Sequence, residues 1–179
     1  EVGALKVGAT LTIGNYLAVG VMAQYMNTPT RPKVSLEVAN TSTIAKRVRD
    51  FELDIGLIEG ELQASELEVI PWREDRLVAF CSPTHPLAAK GELTDDDLRA
   101  ATWILREQGS GTRQSFERGM HGLLPDLNVL LELEHTEAIK RAVEADLGIG
   151  CLSEVVLADA FKRGSLVPLK VPHRQFDRH

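Results

Sequence analysis

Cysteine is scarce in this sequence, and long apolar runs are missing. The two cysteines, Cys81 and Cys151, lie in apolar segments without CxxC or zinc-ligand spacing. This excludes a disulfide-rich scaffold and predicts buried, reduced thiols. No apolar run is long enough to cross a bilayer. Because 44% of the 179 residues are hydrophobic, the chain can still bury a substantial core, and the sequence predicts a globular protein.

Basic residues are outnumbered by acidic ones, and the formal net charge is −6. An acidic chain repels the phosphates of a nucleic acid. The densest basic cluster, Lys46, Arg47 and Arg49, alternates with Ile44 and Val48. That pattern is typical of the solvent-facing side of an amphipathic helix. The composition therefore predicts that this chain does not itself contact DNA.

Catalytic and metal-binding motifs are also missing. The five histidines form no HExxH or other ligand spacing, and no GxSxG elbow occurs. The segment Gly148-Ile149-Gly150 lacks the third glycine of a dinucleotide fingerprint, so a strand packed closely against a neighbour explains it better. Ser153 stands where a helix cap is expected. The sequence predicts neither an enzyme nor a bound cofactor or metal.

Short β-like segments alternate with longer segments of helical periodicity along the whole chain. The predicted strands are 5–9, 34–38, 53–58, 77–81, 103–105, 129–133, 148–152 and 166–169. The predicted helices are 14–26, 109–120, 136–146 and 153–161, with shorter ones capped by Thr41 or Ser42 and by Thr94. This order predicts an α/β fold with helices packed on mainly parallel sheets.

The β/α rhythm runs twice, before and after residues 72–76. We therefore expect two similar Rossmann-like lobes, as in type II periplasmic binding proteins, which close on small ligands in a cleft. The first lobe is predicted to contain residues 1–72 plus 150–179, and the second residues 76–146. The chain is expected to cross between them near 73–76 and near 147–150.

Four helices begin with a turn rich in hydroxyls or glycine, directly after a strand. These turns are Thr10–Gly14, Asn40–Thr43, Gln108–Arg113 and His135–Glu137. In an open α/β sheet such turns lie at the carboxyl ends of the strands, where ligands bind. Helix starts offer free N–H groups that suit an anion, and Arg113 adds a formal charge. The four turns together predict an anion site in the cleft.

Ordinary helix capping is the alternative explanation for each turn taken singly. Two glycines around Ser110 are more than a cap needs, which favours a ligand. Glu137 argues the other way, because an unpaired carboxylate would repel an anion.

Longer motifs are similar to the regulatory domain of LysR-type transcription regulators. They are Gly3–Ala9 with Ile13–Leu17, the sequence DIGLIEG at Asp54–Gly60, WILREQGSGTR at Trp103–Arg113, and Glu137–Lys140 followed by Leu147–Ser153. The resemblance runs from residue 3 to about residue 169. Within the family the sequence is most similar to the YeiE- and CysL-like subgroup, which is associated with sulfur metabolism and sulfite-like effectors.

The resemblance implies an effector-sensing domain in the cytoplasm. It implies a winged helix-turn-helix before this sequence, through which alone DNA is bound, and a homo-oligomer: a dimer of this domain and a tetramer of full-length chains. By position, the effector contacts would be Thr10, Thr12, Thr41, Ser42, Gly109, Ser110, Gly111, Thr112, Arg113 and Thr136. His135 departs from the small polar residue often found there, so it bears on which effector fits. The effector is expected to be a small oxyanion, with sulfite as the leading candidate from the subgroup resemblance.

Two other functions compete with this one. A free-standing solute-binding protein of the same fold would share the motifs, and residues upstream of Glu1 would separate the two. An enzyme built on the scaffold would have to use Arg113, His135 and Glu137, which match no recognised nucleophile–base pairing.

The helix predicted at 14–26 is apolar nearly all round. A surface helix in a monomer normally has a polar face. We therefore expect its surplus apolar side to be buried in a two-fold dimer. A helix sandwiched within its own lobe is the alternative.

Overall fold

Two α/β units make up the chain, residues 1–72 and residues 73–179. The structure is a computed structural model that describes residues 4–30, 32–59 and 62–178. Within those residues, no helix has both the length and the apolar character that a membrane crossing requires. The α/β class predicted from the sequence is confirmed.

The first unit is a three-stranded parallel sheet with helices. Its elements are β1 (Leu5–Ala9), α1 (Leu11–Ile13), α2 (Val19–Met26), β2 (Val34–Val38), α3 (Thr41–Arg49) and β3 (Ile55–Leu57). The strand order is β2-β1-β3. A π-helical turn, Gly14–Ala18, joins α1 to α2 without a break. The predicted helix therefore exists, but it begins at Leu11, directly after the first strand.

The second unit contains a larger mixed sheet. Its elements are β4 (Asp75–Cys81), α4 (Asp95–Ala100), β5 (Thr102–Arg106), α5 (Gly111–Gly119), β6 (Asn128–Leu133), α6 (Thr136–Glu144), β7 (Ile149–Ser153), α7 (Glu154–Arg163), β8 (Val167–Pro168) and β9 (Asp177–Arg178), with 3₁₀ turns at Pro86–Ala89 and Leu124–Asp126. The strand order is β6-β5-β7-β4-β8, and β9 pairs with β4. Strands β5, β6 and β7 run parallel, whereas β4 is antiparallel to β7.

Residues 150–179 differ from the sequence-based prediction, which grouped them with residues 1–72. The structure places them in the second unit. Strand β7 lies between β5 and β4, with Ala79 opposite Cys151 and Ile104 opposite Gly150. The two glycines there allow this close packing, because a Cβ on Gly150 would lie 2.8 Å from Phe80 Cζ. The chain therefore makes no return to the first unit at residues 147–150.

The core of the second unit lies between the sheet and helices α4 and α5. Trp103 is fully buried, packs against Phe116 with ring centroids 5.1 Å apart, and donates from its indole N–H to Leu98 O. Cys81 and Cys151 are free thiols in this core, as predicted. Burial, followed by the charge of Asp146, raises the pKa of Cys81 to about 11. The thiol of Cys81 therefore stays protonated and weakly nucleophilic.

Helix caps confirm two local predictions and correct a third. Thr94 and Asp97 form a reciprocal capping box at α4, and Ser153 caps α7. Helix α3 is capped by the side chain of Asn40, which accepts from Thr43 N, instead of by Thr41 or Ser42. Asn is as good an N-cap as Ser, and it stands one residue earlier.

Replacing Gly119 with alanine is expected to lower the free energy of unfolding by about 1–3 kcal/mol. A Cβ at this position would lie 2.2 Å from Phe176 Cδ1, and Phe176 is buried and stacked on Phe116. Denaturant unfolding of the two proteins measures the difference. Gly91→Ala is the control, because nothing lies within 4 Å of a Cβ there. If both variants lost the same free energy of unfolding, a clash between the new Cβ and Phe176 would not explain the loss.

Candidate functional site

The first helix start of unit 1 contains a buried hydroxyl that makes no capping bond. Thr10 follows β1 and occupies the N-cap position of α1, yet its side chain makes no capping bond. Its Oγ1 is buried and has no hydrogen-bond partner, and the residue is 3% exposed. Thr12, two residues further on, is buried as well. Two of the predicted site residues thus lie inside the protein at the carboxyl end of β1.

A carboxylate also reaches this helix start, and the sequence-based analysis missed its role. Glu59 is 6% exposed, and its Oε1 accepts from Ile13 N at 3.1 Å. Residue 59 follows β3, whose Leu57 O accepts from Thr10 N. The parallel pairing of β1 with β3 therefore brings Glu59 to the start of α1. The only sequence signal for this role of Glu59 was an acidic residue shortly after a strand, within the DIGLIEG motif.

The second helix start of unit 1 is that of α3. Thr41 Oγ1 is buried without a hydrogen-bond partner. Ser42 is exposed and its Oγ donates to Asn40 Oδ1 at 3.1 Å. Strands β1 and β2 pair in register, Ala9 opposite Val38, so both helix starts of this unit follow neighbouring strand ends. The structure thus brings Thr10 and Thr41 to one edge of the sheet.

In unit 2 the glycine-rich turn folds as a helix cap. Ser110 Oγ accepts from Arg113 N at 2.8 Å and caps α5. Gly109 has a φ of +91°, a conformation that an L-residue rarely adopts. Ser110, Gly111 and Thr112 are all buried. Capping therefore accounts for Ser110, and the turn geometry accounts for Gly109.

The guanidinium of Arg113 is hydrogen-bonded to residues of its own unit. Its Nη1 donates to Arg106 O at 2.8 Å, its Nε to Glu117 Oε1 at 3.0 Å, and its Nη2 to Glu132 Oε1 at 3.3 Å. The side chain is 9% exposed. These bonds tie α5 to β5 and β6, and the two carboxylates offset the formal charge that the sequence offered to an anion.

The last predicted turn places a third unpaired hydroxyl at the start of α6. Thr136 is 6% exposed and its Oγ1 has no partner. His135 stands at the N-cap without a side-chain capping bond. The carboxylate of Glu137 contacts Lys140 Nζ, which also donates to Val156 O. Glu137 therefore does not stand unpaired against an anion.

Three buried hydroxyls, those of Thr10, Thr41 and Thr136, share one property. Across the described residues, they are the buried side-chain polar atoms that have no hydrogen-bond partner. Leaving such a group unpaired costs about 1–3 kcal/mol. All three were predicted site residues, and all three follow a strand and stand at a helix start. Capping, the alternative explanation, does not apply to these three side chains.

A separate pocket of about 490 Å³ is formed by residues of unit 2. It is lined by Arg118 and His121 at the end of α5 and by His173, Arg174 and Asp177. None of the predicted site residues lines it. Hydrogen bonds from Arg174 and then His173 hold the pKa of Asp95 below its usual range. Among the described residues, no group of three or more His, Cys, Asp or Glu could hold a metal ion.

Comparison with known proteins gives a consistent result. The model of the LysR substrate binding domain matches residues 1–179. YeiE of Escherichia coli K12, an HTH-type transcriptional regulator described as uncharacterized, is 43% identical over 170 residues, covering 95% of this chain and 58% of that protein. CysL of Bacillus subtilis 168, also an HTH-type transcriptional regulator, is 34% identical over 157 residues, covering 87% and 52%.

The fold is similar to that of a solved regulatory domain. The CcmR regulatory domain of Synechocystis PCC6803, in complex with 2-PG, superimposes with a TM-score of 0.88 at 29% identity. The match covers 99% of this chain and 85% of that one. The chain thus spans little more than half the length of the curated relatives and most of an isolated regulatory domain.

Proposed function

We propose that this chain, which belongs to the LysR substrate-binding domain family, is the part of a transcription regulator that senses a small-molecule effector. The relatives are transcriptional regulators and not enzymes. They favour this function over a free-standing solute-binding protein. DNA would be bound through a winged helix-turn-helix before this sequence, in the cytoplasm, and the effector would change that binding.

The unpaired hydroxyls of Thr10, Thr41 and Thr136 carry this proposal. A ligand that hydrogen-bonds to them would recover the free energy lost by burying them. They occur in both units, each beside a helix start. The CcmR regulatory domain, a related protein, was solved in complex with 2-PG, and this supports a small-molecule effector here.

A small oxyanion is the proposed class of effector. Hydroxyl donors and N-terminal N–H groups stabilise negative charge without a formal cation. Sulfite is the first candidate, because of the resemblance to the YeiE- and CysL-like subgroup. The remaining proposed contacts are Thr12, Ser42, Gly109, Ser110, Gly111, Thr112 and Arg113.

A homodimer is the proposed assembly, with a tetramer for the full-length protein. Helix α2 contains no buried residue, and its Val19, Val21, Tyr25 and Met26 are 40–61% exposed. An apolar helix of this kind is normally covered. The same face on a second copy would cover it isologously.

Thr10→Val and Thr136→Val are expected to raise the free energy of unfolding by about 1 kcal/mol while weakening effector binding roughly tenfold. Valine has nearly the shape of threonine but removes the unpaired hydroxyl. Calorimetry with sulfite, sulfate, phosphate and small carboxylates measures binding, and denaturant titration measures stability.

The control is the same substitution at Thr94, whose hydroxyl caps α4. Thr94→Val should lose about 1 kcal/mol of stability and keep its affinity. The proposal fails if no small anion binds, or if both valine variants at the helix starts bind as tightly as the wild type.

A further inference from the structure

Glu59 occupies an acceptor position that a threonine normally fills. In a capped helix the N-cap hydroxyl accepts from the N–H two or three residues later. Thr10 is the N-cap and Ile13 the third helical residue, yet Ile13 N donates to Glu59 Oε1. The hydroxyl of Thr10 is buried and has no hydrogen-bond partner. The carboxylate of Glu59 acts as an internal anion at the start of the helix.

That arrangement sets a condition on any anion that binds beside Thr10. A carboxylate is an acceptor without donors when ionised. Two acceptors of like charge in contact repel each other, strongly so where water is excluded. A ligand oxygen that carries a proton would instead donate to Glu59, and such a bond between an O–H and a carboxylate is short and strong. The N-terminus of the continuous helix Leu11–Met26 carries a positive partial charge, which would stabilise both the carboxylate of Glu59 and a bound anion.

We propose that Glu59 selects the protonation state of the effector, so that this site accepts an oxyanion bearing a hydroxyl group and rejects one with none. The inference rests on the proposed function, because it concerns the same site. It concerns only unit 1 and requires no particular arrangement of the two units. Thr10 would contribute its free hydroxyl to a second oxygen of the same ligand.

Inorganic phosphate and sulfate make a matched pair of probes. They have nearly the same size and tetrahedral shape, but at neutral pH phosphate keeps at least one proton and sulfate keeps none. Calorimetry on the wild-type chain should show phosphate binding at least roughly tenfold more tightly than sulfate, the size of one charged hydrogen bond gained or lost. Sulfite, which is partly protonated near neutral pH, should behave like phosphate.

The variant Glu59→Gln tests the residue itself. Its amide oxygen can still accept from Ile13 N, so the helix start keeps its cap, while the charge is removed and an N–H donor is added. Sulfate should now bind within about threefold of phosphate. Glu52→Gln is the control, because Glu52 is half exposed and pairs with Arg47, away from this helix start. It should keep the wild-type preference.

The outcomes separate the two proposals. Equal binding of phosphate and sulfate to the wild type overturns the role of Glu59 and leaves an oxyanion sensor standing. So does an unchanged preference in Glu59→Gln. Binding that appears only in Glu59→Gln supports exclusion by the carboxylate. No anion binding to either protein overturns both the selection and the proposed oxyanion effector. The comparison of phosphate with sulfate on the wild-type chain needs no variant. It therefore tests the role of Glu59 even if Glu59→Gln does not fold.

Discussion

Replacing Arg113 with alanine is expected to lower the free energy of unfolding by about 2–4 kcal/mol. The guanidinium is 9% exposed and links α5 to Arg106 O, Glu117 and Glu132. Its loss leaves a buried carbonyl without this donor and two carboxylates without a counter-charge. Lysine would not restore the bonds, because one ammonium cannot reproduce a planar fork. Thermal or denaturant unfolding measures the loss.

The control for this prediction is Arg141→Ala. The side chain of Arg141 is 81% exposed and reaches Glu144 only at 3.8 Å. An exposed pair of this kind contributes about 0–1 kcal/mol. An Arg113→Ala variant as stable as Arg141→Ala would contradict the structural role of Arg113. A loss of effector binding in that variant would leave only its proposed ligand contact.

Replacing Val21 with glutamate is expected to turn a dimer into a monomer. The side chain is 45% exposed on a helix with no buried residue. In the proposed dimer its carboxylate would be buried among apolar side chains, which costs several kcal/mol and raises the dimer dissociation constant by roughly a hundredfold or more. Light scattering or sedimentation at tens of micromolar measures the mass.

Val69→Glu is the matched control, since Val69 is also apolar and 53% exposed but lies outside α2. It should leave the dimer intact. A wild-type chain that stays monomeric at high micromolar concentration would contradict the proposed assembly, and so would a Val21→Glu variant that stays dimeric.

Local sequence signals predicted the helices and strands well, for identifiable reasons. The pairs Thr94–Asp97 and Ser153–Val155 lie within one turn of their helices, and the capping residues are read directly from the sequence. The glycines at 148 and 150 were predicted to mark close strand packing, and they do. Helix α3 shows the margin of error: three neighbouring residues could cap it, and Asn40 does so.

Contacts between distant residues account for what the sequence analysis missed. Glu59 and Ile13 lie 46 positions apart, and no local pattern links them. Arg113 was expected to offer its charge to an anion, but a glutamate 19 positions away shares it. The sequence-based prediction grouped residues 150–179 with the first unit, whereas the structure places them in the second. Hydrophobic periodicity identifies a strand but does not identify the strands that pair with it.

The amino-acid sequence by itself determined the α/β class, the element order, the absence of catalytic motifs and the family resemblance, since each of these depends on residue types at short or fixed spacing. Only the tertiary structure decided which strands pair and which hydroxyls stay without a partner. The pairing of β7 with β4 and β5 fixed the second unit. The pairing of β1 with β3 brought Glu59 to the helix start and left Thr10 unpaired. Hydrogen bonds and burial of this kind depend on three-dimensional position, so the chemistry of the site emerged only once the chain was folded.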